Sequence, residues 1–235
     1  MSATFDAASG VAGNGNPTTW THTPVGVPSA IEVSVCWDAG GGETVSSVTY
    51  GGQACTLKGQ SNYGSRRAAK YYKISPLAGA QNVVVTMSAA CSRGFGCISL
   101  LGTSLVDLYL DFDTAGGSSA AASVVTTGGG LVADCVVCYN HPTCDASQTL
   151  RWNVDHAGGL DAAGSTEPTT GATTMSWTLA SDDWAIAASS FAAAPSGAMW
   201  WFSSRKWKHF VDDLKRGLVP PDILQRRWGE LLRPI

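Results

Sequence analysis

Ala30–Trp37 reads AIEVSVCW. Successive side chains of an extended chain point to opposite sides, so Ile31, Val33, Val35 and Trp37 share one face and Glu32 and Ser34 the other. A strict period of two over eight residues is the pattern of a β-strand with one apolar and one polar face; a helix would scatter those four apolar side chains around its axis.

Working outward from this strand, the same grammar repeats. Ser47–Tyr50 and Gln53–Lys58 flank Gly51-Gly52, a tight hairpin signal. Ala68–Ile74, Asn82–Met87, Gly96–Leu101, Ser123–Thr127, Leu131–Tyr139, Thr149–Val154, Thr173–Leu179 and Trp184–Ala193 are further β-type runs, parted by Gly, Ser, Asn and Pro. Turn residues every ten or so positions, with no helical period before Pro195, predict an all-β, two-sheet β-sandwich of jelly-roll-like kind over residues 1–197. Glycine runs such as Gly40–Gly42 and Gly128–Gly130 sit where hairpins need positive φ.

Beyond Pro195-Ser196-Gly197 the pattern changes. Ser203 or Ser204 can cap a helix on which Trp207, Phe210, Val211 and Leu214 form one stripe, and Gly217 is a natural stop. Pro220-Pro221-Asp222 opens a second amphipathic segment carrying Ile223, Leu224, Trp228, Leu231 and Leu232. Residues 198–235 are therefore predicted to be a C-terminal amphipathic helical arm, too small to fold alone. Trp200, Trp201, Trp207, Phe210, Leu214, Trp228 and Leu231 are its candidate partner-docking residues.

Charge separates the two parts. Charged residues make up 14% of the 235-residue chain, well below the roughly 25% of an ordinary soluble domain. From Ser203 onward eight basic residues face four acidic ones, a net +4; the whole chain carries −3, so the remainder carries −7. An acidic body wears a basic tail. No nucleic-acid footprint is expected from this balance. MSATFDAASG at the N-terminus lacks a basic and an apolar region, so no secretory signal is expected, and no apolar run reaches the ~20 residues of a membrane helix. Asp212 and Asp213, near the centre of the first arm helix, speak against a membrane-bound arm.

Several stretches, in order, resemble a β-sandwich module that recurs in bacteriophage virion proteins and bacterial surface proteins. They are Val48-Thr49-Tyr50-Gly51-Gly52, Lys70-Tyr71-Tyr72-Lys73-Ile74, Asn82-Val83-Val84-Val85-Thr86, Met175-Ser176-Trp177-Thr178-Leu179 and Asp183-Trp184-Ala185-Ile186. The resemblance covers most of residues 30–194 and not the arm. It implies a scaffold with no catalytic residues, and a buried strand at Gly130–Tyr139 with Cys135 and Cys138 where the module has Val and Ala.

That strand leads into DCVVCYNHPTCD, Asp134–Asp145, where Cys135, Cys138, His141 and Cys144 recur every three residues like four zinc ligands. Residues three apart on a strand face opposite ways, and Val136-Val137 is poor turn chemistry, so the spacing predicts buried thiols and no metal. Seven cysteines is an odd number, so at least one is free or pairs between chains. Cys91 and Cys97 bracket a short loop that a disulfide would close, although two reduced thiols suit a chain assembled in the cytosol.

Enzyme signatures are scarce: no G-x-S-x-G, P-loop or H-E-x-x-H occurs. Asp155-His156 reads as a solvated turn rather than half a triad, Asp111-Phe112-Asp113 lacks a third calcium ligand, and Asp182-Asp183 reads as the start of a strand. Neither catalytic residues nor a cofactor are expected. Trp20, Trp152, Trp177 and Trp184 are the candidates for a glycan-stacking platform; alternation assigns Trp177 and Trp184 to the core and leaves Trp152 open. The expected function is a non-enzymatic virion structural protein, decorating the capsid or associated with the tail or fibres. Its expected partners are other virion proteins and copies of itself. The alternative is a carbohydrate-binding or adhesive module.

Overall fold

The computed structural model describes residues 2–125, 130–156 and 159–194, with backbone alone at 104–116, 124, 125, 181 and 182. The arm and all seven of its candidate docking residues lie outside the described residues. Met1–Ala194 is one compact unit. It is all-β. The strands run β1 (Thr4–Gly13), β2 (Thr18–His22), β3 (Ala30–Asp38), β4 (Val45–Tyr50), β5 (Gln53–Ala54), β6 (Thr56–Tyr63), β7 (Arg66–Ile74) and β8 (Gln81–Met87). They continue as β9 (Arg93–Leu101), β10 (Thr103–Val125), β11 (Gly130–Cys138), β12 (Thr143–Cys144), β13 (Thr149–His156), β14 (Leu160–Thr169) and β15 (Ala172–Ala193).

These strands make three antiparallel sheets where two were expected. The middle one runs β1-β9-β3-β7-β6, a second β2-β8-β4-β5, and the third β10-β15-β11-β14-β13, with β12 paired to β15. β3 lies inside the middle sheet, and both its faces are covered. Ile31, Val33, Val35 and Trp37 pack against Val48, Tyr50, Val83, Val85 and Met87 of the four-stranded sheet. Ala30 and Cys36, with Ala68, Ile98 and Leu100, pack the other way against Leu131, Ala133, Cys135, Val137 and Phe191 of the third sheet. Glu32 and Ser34 therefore face a second protein interface rather than water (1% and 3% exposed).

A third core lies on the far face of the third sheet. β10 and β15 are 23 and 22 residues long, and their register shifts between Gly117 and Ser119, opposite Asp182. Met175, Trp177 and Leu179 beyond the shift pack with Ala120 and Ala122 against Val132, Val136, Ile186 and Ala188. Asp182-Asp183 thus marks an irregularity within one long strand, not a strand start. Gly51 and Gly52 (φ 55° and 77°) make the hairpin between β4 and β5, both positive as a two-residue type I′ turn requires.

Buried between the two smaller sheets' edges, His22 is fully enclosed on β2. Trp20 Nε1, a donor only, bonds Ser9 Oγ at 3.0 Å. Ser9 Oγ and His22 Nδ1 share a second hydrogen bond at 2.9 Å, and His22 Nε2 has no partner. Burial lowers the His22 pKa to about 4, against a smaller pull upward from Asp6. Between pH 6.5 and 4 the unfolded chain binds a proton here and the native chain does not, so stability falls as pH falls through that window. The loss is ~3 kcal/mol at pH 4, read as the difference between wild type and His22→Gln in urea titrations at pH 7 and pH 4. Taking the difference removes the opposing slope of Asp134, whose carboxyl is raised to about 6 by burial. An unchanged difference between the two pH values would refute the buried, neutral imidazole.

Candidate functional site

The cysteine-rich segment resolves into pieces that face different ways. Cys135 belongs to the core between the middle and third sheets, Cys138 to the core on the third sheet's far face, and Cys144 packs at the edge of the latter. His141 stands exposed in the loop between β11 and β12. The period-two argument placed the two strand cysteines correctly, and the four residues do not share one site. All seven cysteines are free thiols. Cys97 sits mid-strand in β9, with its pKa pushed well up by burial; the stretch from Arg93 onward is strand and not the loop expected between Cys91 and Cys97.

Between β11 and β14, Asp134 is the hub of a buried polar network. Its carboxylate accepts from Ser165 N at 2.8 Å, Ser165 Oγ at 2.7 Å, Trp177 Nε1 at 2.5 Å and Gln148 Nε2 at 3.3 Å. Four donors on one carboxylate are a structural clamp, because they saturate its acceptor sites and leave nothing for a substrate.

The tryptophans do not form a platform. Trp152, Trp177 and Trp184 are buried, and Trp20 stacks on Phe95 at 5.9 Å in the core beside the four-stranded sheet. Trp152, the one alternation left open, fills a slot between β9 and β14. A Cβ on Gly96 would lie 2.0 Å from Trp152 Cε2, and one on Gly164 2.3 Å from its Nε1. Only glycine on both sides admits the indole.

One cluster of chemistry-bearing side chains does assemble, and the sequence pointed to only part of it. β13 and β14 form a hairpin in which Asp155 pairs with Asp161, and His156 with Leu160. Asp155 and His156 are neighbours on one strand and so face opposite ways. They are not an acid–imidazole pair. His156 is buried, and Asn14, with its amide turned to donate, reaches its Nε2 at 2.8 Å. The imidazole that joins the carboxylates is His141, whose Nδ1 lies 3.1 Å from Asp161 Oδ2. Asp161 is buried and Asp155 exposed. Burial raises the Asp161 pKa, His141 opposes the rise, and Asp155 adds to it. Tyr139 walls this end of the hairpin: its ring lies against Gly159, where a Cβ would come within 2.8 Å, and carries the Arg66 guanidinium 3.6 Å from its centroid. Asp161 escaped the sequence reading because LDAAGSTEPT looks like loop, and no local pattern links it to a histidine 20 positions earlier.

Side chains of Asp111 and Asp113 lie outside the described residues. No family model, curated protein or solved structure matches the chain.

Proposed function

We propose that the chain is a non-enzymatic structural protein of a bacteriophage virion. In this reading it is a β-sandwich scaffold that decorates the particle or belongs to its tail or fibres, and it docks on neighbouring subunits through residues 198–235. The observation that carries the reading is where the charge goes. The chain is poor in charged residues to begin with, and Glu32, Arg66, Lys70, Arg93, Asp134 and Asp161 are all drawn inside the body. The outer surface carries less charge than the composition alone would give it, and a surface poor in charge costs less to bury against another subunit because less hydrated charge is lost. The arm supplies the apolar counterpart: Trp200, Trp201, Trp207, Phe210, Leu214, Trp228 and Leu231 offer more apolar surface than two short helices can hide between themselves. The resemblance to the virion module agrees with this reading. The adhesive alternative would need an aromatic platform other than the buried Trp152, Trp177 and Trp184.

Deleting residues 199–235 is the test. A soluble body is expected, with β-type circular dichroism and one cooperative unfolding transition, that no longer enters particles or oligomers. Assembly at the wild-type level by the truncated chain would refute docking through the arm.

A further inference from the structure

His141, Asp155 and Asp161 bring one imidazole nitrogen and two carboxylate oxygens within 4.8 Å of one another. Two of the three come from a hydrogen-bonded hairpin, where Asp155 and Asp161 are direct cross-strand partners. Their side chains therefore project from the same face, and like charges in that position repel. Two carboxylates this close are relieved by a shared proton or by a cation between them. Among the described residues neither lysine nor arginine pairs with Asp161, and its one ion-pair partner is His141, which carries a charge only when protonated. Yet Asp161 is 3% exposed, so water is a poor substitute. A buried carboxylate converging with a second carboxylate and an imidazole is a donor set that suits a cation.

The chemistry of the donors narrows the ion. An imidazole ligand favours zinc and its first-row neighbours over calcium and magnesium, while two carboxylates are compatible with zinc or manganese. His141 and Asp155 are exposed, which leaves room for water to complete the coordination. We propose that His141, Asp155 and Asp161 form a binding site for a divalent first-row transition cation, with the remaining positions taken by water. The ion fastens the loop after β11 to the end of the β13–β14 hairpin. This ligand set shares only His141 with the cysteine-rich spacing and departs from the expectation that the chain holds no metal.

The full chain, stripped with a chelator and kept reduced, is titrated with Mn²⁺ and with Zn²⁺ by calorimetry at pH 7.5. Manganese is the discriminating probe because free thiols compete for zinc and bind manganese poorly. One Mn²⁺ per chain is expected, with a rise in melting temperature at saturation, since a ligand of the native state alone stabilises it. His141→Ala and Asp155→Asn, both at exposed positions and so harmless to the core, should each weaken Mn²⁺ binding by at least ~10-fold. Circular dichroism confirms that they remain folded. Absence of saturable Mn²⁺ and Zn²⁺ binding below ~1 mM would overturn the proposal. So would binding that both variants leave unchanged, which would place the ion elsewhere.

Discussion

Glu32→Ala will destabilise the body by about 3–5 kcal/mol, far more than removal of a surface charge, because it strands an ammonium ion between two sheets. Lys70 Nζ lies 2.6 Å from Glu32 Oε1 and 3.0 Å from Ser34 Oγ, and both charged side chains are 1% exposed. Ser189 Oγ of β15 donates to the other Glu32 oxygen, so the pair ties the middle sheet to the third. Burial pulls the Lys70 pKa down, but Glu32, with Cys135 and Asp134 beside it, outweighs burial and the net shift is upward. The lysine therefore stays charged, and its contribution is lost only as pH rises through that raised value. Lys70→Met alone should cost a similar amount, since it leaves the Glu32 carboxylate buried with the Ser189 hydroxyl as its partner.

The double variant Glu32→Met with Lys70→Met removes both charges and should lie at least ~2 kcal/mol above either single variant in stability, because the desolvation cost disappears with the charges. Urea unfolding at pH 7 of wild type, the double variant and the single variants Glu32→Met and Lys70→Met gives the coupling directly. A Glu32→Ala cost below ~1 kcal/mol, the range of exposed pairs, would mean that the β3 polar face is wet and that the two sheets do not meet there.

The second large effect is expected at the Trp152 slot. Trp152→Ala should cost about 3–5 kcal/mol, the price of a large cavity. Gly96→Ala should cost about 3 kcal/mol by the opposite route, since an added Cβ has to displace a buried indole. The two are one piece of packing, so they will not add. In the Trp152→Ala background the Gly96→Ala change should lose at least ~2 kcal/mol of its cost, because the methyl then enters the space the ring vacated. Equal costs of Gly96→Ala in both backgrounds would show that the indole is not seated between β9 and β14.

The same two places show what was legible in the sequence. Alternation in AIEVSVCW identified β3 and assigned its faces, and the Gly51-Gly52 hairpin and the strands around Asn82, Leu131 and Trp184 were readable for the same reason. What alternation does not encode is the surroundings of the polar face. Glu32 looks like a solvent residue until Lys70, 38 positions away on the neighbouring strand, and Ser189 on another sheet are brought to it. A third sheet was therefore invisible. β1 and β14 went unread because TFDAASGVAG and LDAAGSTEPT are rich in Gly, Ala and Ser, and the second carries a Pro, a composition that normally signals loops. Gly164 is small because Trp152 lies against it. Pro168 is tolerated because β13 stops pairing at Thr166, so no neighbour on that side asks for its missing N–H. Part of the candidate site was legible: Asp155 drew notice beside His156 and His141 within the cysteine-rich spacing, while Asp161 and the convergence of all three depend on hairpin register.

The central claim is that this body is an assembly subunit whose contacts are made by the arm, and sedimentation velocity of the intact chain tests it most directly. The account predicts a discrete multimer for wild type at micromolar concentration. Trp207→Ala with Trp228→Ala should shift most of the material to monomer at unchanged circular dichroism, because buried aromatics anchor interfaces. A wild-type chain that sediments as a monomer both alone and with particle proteins, or a double variant that assembles as wild type does, would contradict it.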